Sequence, residues 1–249
     1  MGVEFGANGR RISKRRPTVL VRNSMHPVSR SRSLDLVFLC ALAGAAGVGH
    51  AAPVDARAIA MQGLPPTVLA CQACHGPAGE GNIPAGFPRL AGLGRGYMTE
   101  QLASFASGKR QSPVMQPIAA GLSTGQQAAM AAYYAALAGP AAKAVAADPV
   151  PAQAGAWLAA RGRWNDDIPA CSQCHGASGL GVGDSFPPLA GQPAAYLSTQ
   201  LQAWKHATRP PGPQSLMAAI AMKLTDADIA AVTDYYAALP ADGDKGAKP

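Results

Sequence analysis

The chain has 249 residues and a formal net charge of +7, with 28 glycines, 22 prolines and only 6% aromatic residues. That composition leaves an ordinary core thin for this length, so a buried apolar group would have to supply the missing bulk. Basic residues crowd the first 32 positions, and removing residues 1–52 takes away 8 of the 21 basic and 2 of the 14 acidic residues, which leaves a net charge of +1. A near-neutral chain excludes a broad basic surface for nucleic acid.

The first 52 residues have the anatomy of a secretory signal. A basic segment precedes an apolar run from Leu34 to Val48, and cleavage is expected after Ala51 or Ala52. The apolar run is too short to predict a membrane span. A start at Met25 would give a better proportioned signal, so residues 1–24 are interpreted as a mis-assigned start. A nucleic-acid-binding arm, or an uncleaved leader that serves as an anchor, is the alternative.

One pentapeptide occurs twice. Cys71-Gln72-Ala73-Cys74-His75 returns one hundred positions later as Cys171-Ser172-Gln173-Cys174-His175. C-x-x-C-H is the attachment signature of c-type haem, in which two thiols bind the porphyrin and the adjacent histidine is the proximal iron ligand. The pattern therefore predicts two covalently attached haem c groups. The residues predicted to hold them are Cys71, Cys74, His75, Cys171, Cys174 and His175.

Three other uses of these cysteines are weighed against haem. A thioredoxin-like redox pair would need a βαβ pattern, which the sequence lacks. A zinc site of four thiolates would not need a histidine after each pair, and disulfides would leave both histidines unexplained. Haem explains all six residues, while the zinc and disulfide alternatives stay open. The fifth cysteine, Cys40, lies in the leader and is expected to leave with it.

In chain order, apolar periodicity predicts three helices in the first half. They are Val54–Gln62, for which a loose arm is the alternative, Tyr97–Ser107 and Thr124–Ala138. Ser123 and Gln126 occupy the positions of a capping box before the third helix. That helix is predicted to direct Met130, Tyr133, Tyr134 and Leu137 inward or nearly so.

The same plan repeats after an Ala/Pro-rich linker at 141–152. A short helix at Gln153–Arg161 precedes the second motif, Tyr196 to Trp204 repeats the Tyr97 helix, and Thr225 with Asp228 caps a last helix. No segment has the alternation of a β-strand. The sequence therefore predicts an all-α fold with two haem domains, at 53–140 and 153–240, and a polar tail at 241–249.

The internal repeat also selects a second axial ligand for each iron. Met115 and Met217 begin the shared pattern Met-x-x-Ile-Ala-x-x-Leu-[Ser/Thr] and are the only methionines that coincide between the halves. They are expected in an extended, proline-supported strap before the last helix. A thioether ligand stabilises ferrous iron and suits an electron carrier. Other methionines, namely Met98, Met130 and Met222, are interpreted as core residues, and His206 is an alternative ligand without a counterpart in the first half.

These features resemble a known family. Two C-x-x-C-H motifs about a hundred residues apart, each followed by F-P-x-L-A-G, a Y-x-x-x-Q-L helix start, a methionine and a terminal Tyr-Tyr-Ala-Ala-Leu, are similar to the tandem dihaem class I cytochromes c of the cytochrome c-four family. The resemblance implies two class I cytochrome c domains. It implies iron ligation by His75 with Met115 and by His175 with Met217. It also implies that the carbonyls of Pro88 and Pro187 accept the second N–H of each proximal histidine, and that Tyr97 and Tyr196 either reach a haem propionate or simply pack.

The function implied by the resemblance is periplasmic electron transfer without catalysis of bond chemistry. The partners expected are redox proteins: a quinol-oxidising complex or a dehydrogenase as donor, and an oxidase such as one of the haem-copper type as acceptor. A cytochrome subunit of a membrane dehydrogenase, with peripheral membrane association, is one alternative. A dihaem oxidoreductase enzyme is the other.

Overall fold

The computed structural model describes residues 54–139 and 153–239. The predicted signal region, linker and tail lie outside these residues, so their boundaries stay predictions. None of the helices within the two described ranges combines the length and apolar character needed to cross a bilayer.

The first domain, residues 54–139, contains five helices. They are α1 (Ala56–Gln62), α2 (Gln72–His75), α3 (Arg95–Ala106), α4 (Met115–Ala120) and α5 (Thr124–Ala136). The second domain, residues 153–239, repeats them in the same order, with two short 3-10 turns at Trp164–Asp166 and Pro213–Ser215. Its helices are α6 (Ala154–Ala160), α7 (Ser172–His175), α8 (Ala194–Lys205), α9 (Leu216–Ala221) and α10 (Asp226–Ala238). The described residues form isolated β-bridges and no strand, which confirms the all-α prediction.

The last helix of each domain begins at a capping box, as the sequence predicts. In the first domain the Ser123 hydroxyl accepts the Gln126 N–H at 3.2 Å, and the Gln126 side chain accepts the Ser123 N–H at 2.8 Å. In the second domain Thr225 and Asp228 make the same reciprocal pair. Each box satisfies donors that the first turn of a helix leaves without a partner.

Each core forms where the last helix crosses the others. Helix α5 packs on α1 and α3, and α10 packs on α6 and α8. Met130 and Tyr134 are buried, with Tyr133 and Leu137 packed partly buried beside them, so the predicted inward face is confirmed. Tyr236 takes the place of Tyr134 in the second core. Cys71 and Cys171, which directly precede the motif helices α2 and α7, pack partly buried against these cores.

Candidate functional site

Each pentapeptide motif folds into a single helical turn. The His75 N–H donates to the Cys71 carbonyl at 2.9 Å, and His175 makes the same bond to Cys171. Residues three and four positions apart lie on one face of a helix, so both thiols and the imidazole share one side of the turn. Gly76 ends the first turn with a φ of 80°, a conformation that favours glycine. This geometry matches a cofactor held along one edge and ligated from one face.

The two histidines are held rigidly and are largely buried. The Nδ1–H of His75 donates to the Pro88 carbonyl, and that of His175 donates to the Pro187 carbonyl, both at 2.8 Å. Each imidazole is only 6% exposed. Burial lowers the pKa of both histidines, opposed by the bond to the proline carbonyl, so the rings are neutral at pH 7. A neutral imidazole with Nδ1 engaged offers Nε2 to a metal.

The environment of one histidine nitrogen indicates whether the motif residues fit a haem iron. The Nε2 of His175 is buried and has no hydrogen-bond partner among the described residues. A buried nitrogen left in that state costs free energy, unless a ligand binds it. Iron ligation would supply the missing partner. The donor set therefore fits haem.

The cysteines fit attachment to haem better than the alternatives do. No disulfide joins the four described cysteines, Cys71, Cys74, Cys171 and Cys174. Burial raises the pKa of the Cys171 thiol to about 11 and raises that of Cys71 as well. Nowhere in the described ranges do three or more His, Cys, Asp or Glu side chains gather as a metal cluster. A zinc site of four thiolates therefore has no support.

The methionines at the repeated positions lie in helices rather than in an extended strap, so that prediction is wrong. Met115 is the first residue of α4, and Met217 is the second of α9. Pro117 does not prevent α4, because a proline in the first helical turn loses no hydrogen bond to the helix. Both methionines are half-buried. Their ligation of iron is untested by these contacts and stays a prediction.

Two further expectations about ligands and core have clear outcomes. Met98 and Met130 are buried core residues, as predicted. Met222 is 62% exposed, so its assignment to the core is wrong. It is the C-terminal cap residue of α9, between that helix and α10. The alternative ligand His206 is exposed at the C-terminal end of α8.

The domain interface contains a crossed pair of arginines that the sequence did not single out. Arg110 of the first domain donates to the Tyr196 hydroxyl at 3.2 Å and to Gln200 at 2.6 Å. Arg209 of the second domain donates to the Tyr97 hydroxyl at 3.0 Å and to Gln101 at 3.1 Å. Each arginine therefore binds the tyrosine and glutamine of the opposite domain, so the contacts of the two arginines are reciprocal.

This interface buries positive charge. Both guanidinium groups belong to residues that are 6% exposed, and no carboxylate among the described residues pairs with either one. Each lies over an aromatic ring of its own domain, Phe105 or Trp204. Buried charges are normally paired, so an anion at this interface would complete it. Haem propionates have the required charge.

A signal for this cluster was present in the sequence. Tyr97, Gln101 and Arg110 recur as Tyr196, Gln200 and Arg209, each at an offset of 99 residues. The helix pattern includes the tyrosines and glutamines. It does not reach the arginines, because they follow the helix in an irregular segment without apolar periodicity.

Comparisons with known proteins show which family this chain resembles. The family model for cytochrome c matches two segments, residues 67–147 and 152–239. The thiosulfate dehydrogenase electron acceptor of Stutzerimonas stutzeri is 46% identical over 189 residues, which are 76% of this chain and 88% of that protein. The cytochrome c4 of Pseudomonas aeruginosa is 36% identical over 207 residues, which are 82% of this chain and 98% of that protein.

A solved structure has a similar fold. The thiosulfate dehydrogenase TsdBA from Marichromatium purpuratum matches 74% of this chain with a TM-score of 0.67 and 44% identity. This chain covers 40% of that longer chain.

Two helical domains, each with one attachment motif, define a dihaem c-type cytochrome. The chain belongs to the cytochrome c family and is of the cytochrome c4 type. It carries two covalent haem c groups, and its activity is electron transfer rather than enzymatic catalysis.

Proposed function

We propose that each domain binds one iron between a histidine and a methionine. Cys71 and Cys74 attach the first haem, and Cys171 and Cys174 attach the second. Iron bound in this way supplies one-electron redox chemistry, and two strong axial ligands leave no open position for a substrate. The support is the burial of both imidazoles and the orphaned Nε2 of His175.

The ligands take different tasks in this proposal. His75 and His175 are the proximal ligands, and the Pro88 and Pro187 carbonyls fix their ring orientation and increase their basicity. Met115 and Met217 are the distal ligands, which favour the ferrous state. Both domains therefore have the ligand set of a carrier.

The crossed arginines neutralise the propionates in this proposal. Arg110 and Arg209 are buried between the domains and already share Gln101 and Gln200. Positive charge close to a haem favours its reduced form, so Arg110 and Arg209 would also favour electron uptake.

We further propose that the donor is a thiosulfate dehydrogenase and that the chain works in the periplasm. The observation that carries this is the identity of 46% to a thiosulfate dehydrogenase electron acceptor, compared with 36% to a cytochrome c4. The electrons would leave to a terminal acceptor such as a haem-copper oxidase. A leader at residues 1–52 is consistent with export.

The test is anaerobic stopped-flow reduction of the ferric holoprotein by a thiosulfate dehydrogenase in the presence of thiosulfate. Rapid reduction that needs both the enzyme and thiosulfate is expected, at a rate above that of the Pseudomonas aeruginosa cytochrome c4 under the same conditions. Omitting thiosulfate is the control. A rate no higher than that of the cytochrome c4 would overturn the proposed donor and leave the carrier function intact.

A quinol-oxidising complex or a membrane dehydrogenase is the second candidate donor, supported by the similarity to cytochrome c4. The same experiment with such a complex distinguishes the two. Faster reduction by the quinol-oxidising complex than by the thiosulfate dehydrogenase would favour this candidate.

A further inference from the structure

A second contact between the domains has no counterpart in the internal repeat. The backbone N–H of Arg89 donates to the Gln192 side-chain oxygen at 3.0 Å, and the Gln192 amide nitrogen donates to the Arg89 carbonyl at 2.9 Å. Both residues are 3% exposed. Since the backbone offers one donor and one acceptor here, only one orientation of the Gln192 amide satisfies both bonds.

The Arg89 N–H belongs to the same peptide group as the Pro88 carbonyl. That carbonyl accepts the Nδ1–H of His75 at 2.8 Å. A peptide group is a single conjugated unit, so donation by its N–H increases the electron density on its oxygen. Hydrogen bonds joined in this way strengthen each other, by about 10–30% per bond. Gln192 of the second domain is thus connected to the proximal histidine of the first domain through one peptide group.

The second domain cannot make this connection. Its equivalent peptide joins Pro187 to Pro188, and a proline nitrogen has no hydrogen to donate. The position equivalent to Gln192 is Leu93, which is buried in the first core. The Pro187 carbonyl still accepts the His175 N–H at 2.8 Å. The two histidines therefore have the same direct partner, but only His75 has a partner polarised from across the interface.

We propose that Gln192 is a positioning residue for the first haem, acting through the Pro88–Arg89 peptide to make His75 a more basic ligand and so to lower the midpoint potential of that haem. A stronger acceptor at Nδ1–H transfers electron density into the imidazole, and a more electron-rich ligand stabilises ferric iron. The inference rests on the proposed role of His75 as an iron ligand. It makes the domain contact one cause of unequal potentials in two similar domains.

The test is Gln192→Leu in the full-length holoprotein, which installs the residue found at the equivalent position of the first domain. Spectroelectrochemical titration is expected to show an upward shift of the first haem's midpoint potential and no shift of the second. Gln192→Leu is also measured in a Met217→His background. Met217→His shifts the midpoint potential of the second haem, so the transition of the first haem can be followed alone. In the reduced protein, the His75 Nδ1–H proton resonance should move upfield and exchange faster with water, while that of His175 stays unchanged.

Two control variants separate this effect from loosening of the interface. Arg89→Gln keeps the peptide N–H but removes the guanidinium that bonds the Ala190 carbonyl across the interface at 2.8 Å. It should not raise the potential, because it loses a positive charge and admits water. Gln192→Glu keeps the acceptor for the Arg89 N–H and should also not raise it.

An unchanged or lowered first potential in Gln192→Leu, with both haems retaining the spectrum of methionine-ligated low-spin iron, would overturn this inference alone. A wild-type spectrum in which the first haem lacks that signature would instead overturn the ligand assignment on which it rests.

Discussion

The two domains share one plan and differ in how charge supports it. At the junction of the first loop and last helix, the second domain has ion pairs: Arg163 binds Asp228 through two bonds of 2.9 Å, and Lys223 binds Asp167 at 3.1 Å. The first domain has Leu64, Gln126 and Gly121 at the positions of Arg163, Asp228 and Lys223. The same cap is therefore neutral in one domain and anionic in the other, which shows that the architecture depends on the cap's hydrogen bonds and not on its charge.

At the domain interface, by contrast, the additional charged residue belongs to the first domain. The guanidinium of Arg89 donates to the carbonyls of Ala91 and Ala190. The equivalent residue of the second domain is Pro188, which has no charge. The crossed arginines are shared equally. Matched substitutions in the two domains can therefore separate effects that arise within one domain from effects that depend on the contact between the domains.

The largest effect is expected from exchanging the proposed distal ligands. Met115→His should lower the potential of the first haem alone, and Met217→His that of the second alone, each by a substantial part of the about 0.8 V that axial ligands span. Each variant should lose half of the near-infrared sulfur-to-iron band of the ferric protein. The buried Met98 supplies the control, since Met98→Leu should keep the full band. A full band in Met115→His would show that another residue ligates the first iron.

The next largest effect is the loss of stability when a buried methionine, rather than an exposed one, is truncated. Met130 is 3% exposed, so Met130→Ala should lower the free energy of unfolding by about 2–5 kcal/mol through the cavity it leaves. Met222→Ala should change it by less than about 0.5 kcal/mol, because that side chain is exposed. Denaturant titration of both variants measures the difference. Equal losses would mean that Met222 is covered in the folded protein.

The crossed arginines should be equivalent. Arg110→Ala and Arg209→Ala are each expected to cost about 1–3 kcal/mol, because each removes the arginine donor to one buried tyrosine hydroxyl, Tyr196 or Tyr97, while the other arginine still binds both glutamine oxygens. The double variant should cost more than the sum, since only it leaves the side-chain oxygens of Gln101 and Gln200 without an arginine donor. A double-mutant cycle by denaturant unfolding measures this. The exposed Arg57→Ala is the control, and strictly additive losses would argue against a shared cluster.

The smallest effect distinguishes the caps by their pH dependence. Ser123→Ala and Asp228→Ala should each cost about 1 kcal/mol at pH 7. The hydrogen bonds from Arg163 hold the pKa of Asp228 well below its usual 3.8. A lowered pKa contributes stability that is fully present above about pH 4 and is lost as the pH falls toward the folded value.

The cost of Asp228→Ala should therefore shrink in acid, whereas that of Ser123→Ala should not. Thermal unfolding of both variants between pH 7 and pH 3 measures this. A pH-independent cost for Asp228→Ala would show that the ion pair adds nothing to the cap.

Much of the fold could be predicted because its signals are local. The capping boxes at Ser123 and Thr225 and the inward tyrosines follow from spacings within one helix, and all were found in the structure. Prolines near Met115 and Met217 predict an extended chain, but the structure has helices there, because Pro117 falls in the one helical turn that tolerates proline. The exposure of Met222 could not be predicted, because the burial of a single methionine at a helix end depends on tertiary packing.

The sequence by itself determined the cofactor class and its number, because attachment of haem c depends on five consecutive residues that keep their spacing in any context. It also determined the pairing of equivalent positions through its repeat. Only the tertiary structure decided that Arg110 and Arg209 cross between domains, and that Gln192 reaches the peptide next to Pro88. Those contacts join residues about a hundred positions apart, and they exist because of how two folded surfaces pack, which no local pattern encodes.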